Sequence, residues 1–196
     1  MTATTSSLPD RALRADAQRN LLRVLEAARS VFAEQGADAS VTEIAERAGV
    51  GVATIFRRFP TKSDLLVAVL ERRFQDLLVT ADEALARPDA EPAFRAFLQA
   101  VVGSVVADRG FCDCVGTELV ERSALRSLGD ELRGRTGAIL QRAQAAGAVR
   151  ADVDADDIRI LAMAVAQAGL TVEPARPGAW SRHLDIVLDG LRPTTA

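Results

Sequence analysis

The chain has no tyrosine, one tryptophan, one histidine and two cysteines among 196 residues, and each scarcity excludes a kind of chemistry. Cys112 and Cys114 are separated by one residue, no second cysteine pair follows, and His183 is far downstream. A structural zinc site needs four ligands, and a catalytic one needs three with an open position. No metal site is therefore expected. The two thiols read as reduced, partly buried side chains, with redox sensing as the alternative. The single histidine falls on an apolar-striped terminal helix, which leaves a serine hydrolase without a triad. No G-x-S-x-G, P-loop or dinucleotide fingerprint is present. Neither enzymatic activity nor a cofactor is expected.

Long apolar runs are missing as well. No window approaches the roughly 18 consecutive apolar residues of a membrane helix, and the start of the chain lacks an apolar stretch followed by a cleavage site. The expectation is a cytoplasmic protein with no membrane partner. There is no alternating strand pattern of any length and no internal repeat, so the fold should be all-α. Asp152, Asp154 and Asp156 match the first three acidic positions of a calcium loop. Asp157 stands where its glycine belongs and Met163 where its closing glutamate belongs, so the acids read as caps of the next helix.

A net charge of −3 conceals an asymmetry. Residues 1–73 hold eleven Lys and Arg against nine Asp and Glu, whereas residues 74–196 hold thirteen against eighteen. Attraction for phosphate is concentrated at the N-terminal end and an acidic body lies behind it.

The most informative stretch is residues 40–62, SVTEIAERAGVGVATIFRRFPTK. Ser40 and Glu43 have the S-x-x-E spacing of a capping box, which starts a helix near Val41. Ile44, Ala45 and Ala48 turn inward. Gly49 occupies a turn that needs positive φ, and Val50 plugs the space between two helices. The second helix starts near Gly51 or Val52, buries Ile55 and Phe59, and stops at Pro60. Thr61 and Asp64 cap a third. Helix, glycine turn and short second helix make a helix-turn-helix, whose second helix suits a major groove. Ala53, Thr54, Arg57 and Arg58 share its outer side with Gly51 and Val52 at the start and Lys62 just beyond. None of these positions is acidic, as a surface approaching phosphates requires.

With those residues in place, Arg19 to Leu66 resembles the N-terminal domain of TetR-family transcriptional regulators. The first helix, RNLLRVLEAARSVFAEQG, carries Leu21, Val24, Leu25, Ala28, Val31 and Phe32 on one stripe and ends at Gly36. TEIAERAGVGVATIFRRFPTKSDLL then follows the family pattern T-x-x-x-I-A-x-x-A-G-V-x-x-x-T-[LI]-Y-x-[HY]-F-x-x-K-x-x-L, with Thr42 displaced by one. Phe56 stands where the family usually has a phosphate-binding tyrosine, and Arg58 where it has histidine or tyrosine. The resemblance implies phosphate contacts from Thr42, Thr54 and Lys62, with Val52, Ala53 and Arg57 nearest to base edges. Arg58 is expected to replace the lost anchor through a charged contact, and Phe56 to serve in packing or as an apolar contact. Gly51, Val52 and Ala53 offer no side-chain hydrogen bonds, so direct readout should be sparse and DNA shape should matter.

The organisation expected is a basic arm over 1–14, a DNA-binding domain over 15–62 and a ligand-binding and dimerisation domain over 63–196, about nine helices in all. Residues 1–10 read as disordered. Arg11, Arg14 and Arg19 read either as an arm along the DNA backbone or as a solvated terminus. Helices are expected at about Ser63–Ala86, Glu91–Asp108, Val115–Glu121, Leu128–Ala146, Ala155–Leu170 and around Trp180–Leu191. In TetR-like proteins the last two long helices pair with their copies. By that resemblance Ile158, Leu161, Ala162, Val165, Trp180, Leu184, Val187, Leu188 and Leu191 would form a homodimer interface; packing inside one chain is the alternative. A ligand cavity would draw on Phe94, Phe97, Leu98, Val101, Phe111, Leu119, Leu132, Met163 and Gln167, each of which also reads as ordinary core. No cationic cluster in the body marks an anionic ligand, and a mainly apolar small molecule is expected. The functional expectation is a sequence-specific regulator, a repressor released from a palindromic operator by that molecule. The alternatives are a sequence-tolerant architectural DNA binder and a ligand-binding body without an operator.

Overall fold

The computed structural model describes residues 8–107, 123–172 and 175–193. Among these residues eight α-helices and one short 3-10 turn account for the regular structure, and no strand occurs. The helices are α1 (Leu8–Gln35), α2 (Val41–Ala48), α3 (Val52–Arg58), α4 (Lys62–Ala86), α5 (Ala90–Val106), α6 (Ser123–Ala145), α7 (Ala155–Val172) and α8 (Ala179–Gly190). The segment expected around Val115–Glu121, and with it Phe111, Cys112, Cys114 and Leu119, lies outside the described residues.

Helix α1 spans Leu8–Gln35, so residues 8–14, expected within a disordered or basic arm, are helical. Proline is tolerated in a first turn, and no breaker interrupts the chain before Gly36. The buried stripe of α1 is Val24, Ala27, Ala28, Val31 and Phe32, and α2 packs across it.

The two anticipated capping boxes part company. Thr61 and Asp64 form theirs in full: Asp64 N–H donates to Thr61 Oγ1 at 3.1 Å and Thr61 N–H to Asp64 Oδ2 at 3.0 Å. Ser40 instead accepts from Thr42 N–H at 3.2 Å. Glu43 is drawn away from the cap because it accepts from Gln35 Nε2 and from Arg47 Nη2, both at 2.7 Å. A guanidinium partner outcompetes an amide for a carboxylate. At the next boundary Asp154 accepts from Asp156 N–H at 2.8 Å and Asp157 N–H at 2.9 Å, and Asp157 accepts from Asp154 N–H at 3.0 Å. Of the three aspartates only Asp154 caps the helix, with Asp157 reciprocating, while Asp152 accepts from Arg150 and Asp156 from Arg133.

One continuous apolar core runs from Val24 in α1 to Leu191 after α8. Helix α4 joins the two ends of the molecule, packing on both α1 and α6. Its C-terminus is held from α6, where Arg142 Nη1 donates to Leu85 O at 2.7 Å and Nη2 donates to Arg87 O. Helix α5 lies against α7, and α7 against α8. Gly169 permits this approach: a Cβ there would stand 2.8 Å from Val106 Cγ2 and 2.9 Å from Trp180 Cβ. Arg95 ties α5 to α8 through Asp185 at 2.6 Å.

Candidate nucleic-acid interface and the cavity behind it

The turn between α2 and α3 is closed by two backbone bonds, Gly49 N–H to Glu46 O at 3.1 Å and Val50 N–H to Ala45 O at 3.0 Å. This Schellman pattern requires the left-handed residue that Gly49 supplies, with φ 65° and ψ 40°. Ala45 and Ala48 are buried with Ile44 and Ile55, and Phe59 closes the far end. Small side chains at 45 and 48 allow α2 and α3 to cross closely. From α1, Arg23 Nη2 donates to Ala48 O at 2.6 Å and fastens the turn to the first helix.

With Ile55 turned inward, Gly51, Ala53, Thr54, Phe56, Arg57 and Arg58 are exposed, Val52 and Lys62 are half-buried, and Thr42 is exposed at the start of α2. Phe56 is 43 % exposed, which places an aromatic ring on the same surface as the cations. The remaining charges around the head are matched differently. Arg47 binds Glu34 through two hydrogen bonds and also reaches Glu43, and Arg29 binds Glu26 at 2.7 Å. The guanidinium of Arg47 holds the Glu34 carboxyl below its ordinary value near 4.5. Among the described residues no carboxylate pairs with Arg57, Arg58 or Lys62. Arg19, Arg29 and Arg47 are neutralised locally and Arg23 is spent on the turn backbone, whereas the cations beside α3 have no carboxylate partner among the described residues.

Behind the head, α4, α5, α6 and α7 line a cavity of about 570 Å³ that is open to solvent, within the range of small-molecule sites. Of the residues expected there, Phe97, Leu98, Val101, Leu132 and Met163 line it. Phe94 is buried in the core, and Gln167 is exposed on α7; neither lines the cavity. Phe74 and Leu77 of α4 and Leu125 of α6 also line it, and none of the three was expected there. Contrary to the reading of the body as lacking a cationic cluster, Arg126, Arg133 and Arg159 converge on the cavity from α6 and α7. Their separation in sequence hid the cluster.

The expected interface residues are largely spent inside the chain. Ile158, Ala162, Val165, Leu184, Leu188 and Leu191 are buried, with Ile158 and Ala162 also lining the cavity. Leu161, Trp180 and Val187 are half-buried against the core. The outward faces of α7 and α8 instead carry Ile160, 56 % exposed, and Ile186, 59 % exposed. Apolar periodicity marks which residues avoid water but not which neighbour covers them. His183 is half-buried, and among the described residues no three His, Cys, Asp or Glu side chains gather as a metal site. None of the described helices is long and apolar enough to cross a membrane.

This architecture matches known proteins along nearly its whole length. A family model described as bacterial regulatory proteins, tetR family, matches residues 24–69, and one described as transcriptional regulator SbtR-like, C-terminal domain, matches residues 88–193. The crystal structure of a TetR transcription regulatory protein from Mycobacterium vanbaalenii is 37 % identical, with TM-score 0.70 over 92 % of this chain and 99 % of that one. A TetR transcriptional regulator from Streptomyces coelicolor is 30 % identical, with TM-score 0.70 over 89 % of this chain and 99 % of that one. An HTH-type transcriptional regulator of Staphylococcus aureus is 38 % identical over 69 residues, which are 35 % of this chain and 37 % of that protein. The chain thus spans little more than a third of the length of the curated relatives it matches. With a helix-turn-helix at one end and a helical body matched at the other, the chain belongs to the TetR family of bacterial DNA-binding transcriptional regulators.

Proposed function

We propose that the chain is a homodimeric repressor that binds a short palindromic operator and leaves it when a small, mainly apolar molecule enters the body. The observation that carries the DNA-binding assignment is the set Arg57, Arg58 and Lys62 around α3, which no carboxylate among the described residues neutralises, on a head where Arg19, Arg29 and Arg47 are paired with carboxylates and Arg23 is bound to the backbone of the turn. Thr42, Thr54, Arg58 and Lys62 take phosphates. Arg57 reads a guanine edge, Val52 and Ala53 meet thymine methyls, and Gly51 lets the backbone approach. Phe56 supplies an apolar contact in place of a hydroxyl. The head comprises residues 15–62 and the body residues 63–196.

Two heads are needed for a palindrome, and the outward faces bearing Ile160 and Ile186 are the surfaces on which a second copy would pack. Coupling runs through α4, which starts at Lys62 beside the DNA surface and presents Phe74 and Leu77 to the cavity. A ligand releases DNA only by preferring the arrangement of α4 that DNA disfavours, and DNA must weaken the ligand by the same factor.

The test is selection from a randomised DNA pool with the purified chain and with Arg57→Ala. A palindrome that loses base preference in the mutant is expected. Enrichment of no sequence, with binding that disappears as salt rises, would replace this reading by a sequence-tolerant architectural role.

A further inference from the structure

The cavity has an apolar body and a charged mouth. Phe74, Leu77, Phe97, Val101, Leu125 and Met163 supply the body. At the mouth stand Arg126, Arg133 and Arg159 against Asp130 and Asp156. Asp156 is shared, since Arg133 Nη2 donates to its Oδ2 while Arg159 Nε lies 3.8 Å from its Oδ1. One carboxylate cannot occupy two guanidiniums, each with five N–H donors, and both side chains are more than half exposed at the opening.

Resting on the proposed role of this cavity as the effector site, we infer that its ligand is an amphipathic anion, with an apolar chain filling the body and one carboxylate held by Arg133 and Arg159. A neutral apolar molecule would fill the same space but leave the guanidinium donors to water. A cation would meet a mouth on which three guanidiniums outnumber two carboxylates. A carboxylate accepts paired N–H bonds from a guanidinium in a geometry that suits both planes. Bound in this way it bridges α6 and α7 at its head while its chain touches α4, the helix that begins at the DNA surface.

The full chain is titrated calorimetrically with straight-chain carboxylates of increasing length, matched alcohols and matched trimethylammonium compounds, all below their micelle concentrations. At the length that fits best, the carboxylate binds roughly tenfold or more tightly than the alcohol, the ammonium compound binds weakest, and the preference shrinks as salt rises. The double variant Arg133→Gln/Arg159→Gln loses the preference and keeps its affinity for the alcohol. Asp156→Asn, which removes the competing carboxylate, binds the carboxylate more tightly, a gain that misfolding cannot produce. Equal affinities for carboxylate and alcohol, a preference that survives the double variant, or no binding of any probe would overturn the inference. If carboxylate and alcohol bind equally and both release DNA, the effector role stands and the anion does not. If the carboxylate preference appears as described but DNA affinity is unchanged, the anion site stands and the effector role falls.

Discussion

Arg23 and Gly49 meet at the turn of the DNA-binding head: the guanidinium that donates to Ala48 O at 2.6 Å has its Nη2 2.6 Å from where a Cβ on Gly49 would stand. The turn therefore excludes a side chain twice, through a φ of 65° and through the arginine that locks it. Gly49→Ala is expected to destabilise the chain by about 1–2 kcal/mol from the left-handed backbone alone. Arg23→Met should cost about 1 kcal/mol and weaken all DNA sequences alike. Thermal unfolding and binding to specific and random duplexes measure both.

The phosphate and base roles separate by salt dependence. Arg58→Ala and Lys62→Ala should each reduce the slope of log affinity against log salt by about 0.9 without changing base preference. Phe56→Tyr should raise affinity by about 1 kcal/mol, because the added hydroxyl restores a phosphate hydrogen bond. A tyrosine variant no tighter than the parent would place residue 56 away from the backbone.

Two glycines should respond with opposite signs. Gly169→Ala pushes α7 away from Val106 and Trp180 and is expected to cost about 1–3 kcal/mol of overpacking. Gly134, on the exposed side of α6, has nothing within 4 Å of an added Cβ, so Gly134→Ala should stabilise by about 0.4–1 kcal/mol. Denaturant unfolding followed through the single tryptophan reads both.

Assembly should depend on Ile160 and Ile186, which face outward, and not directly on Leu184, which does not. Ile160→Asp or Ile186→Asp should yield a folded monomer by sedimentation with unchanged helical content. Leu184→Ala should instead lower stability by about 2–5 kcal/mol through a core cavity. A dimer that survives both aspartate variants would move the interface elsewhere.

Acid should loosen the head through Glu34. Its carboxyl is held below the ordinary value near 4.5 by hydrogen bonds from Arg47. A lowered folded-state value means that the contribution is complete above the unfolded value and is lost as pH falls through the folded one. The exposed position keeps the effect small. Glu34→Gln should flatten the decline in melting temperature below about pH 4.5 while leaving the neutral-pH fold intact.

Features that depend on neighbours a few positions apart were legible from the order of residues. The glycine turn at 49, the Thr61–Asp64 box, the aspartate cap of α7 and the inward stripe of α1 are local bargains between side chains and nearby backbone, and each was legible in order and spacing. Relationships between segments distant in the chain were settled by how the helices pack. Glu43 left the Ser40 cap because Arg47 and Gln35 came within reach. Arg126, Arg133 and Arg159 became a cluster because α6 and α7 bring their faces to one opening. The apolar residues of α7 and α8 were divided between core and outward surface by which helices arrived to cover them. Burial and charge pairing are set by the whole packing, and a residue's own type records only that it must find a partner.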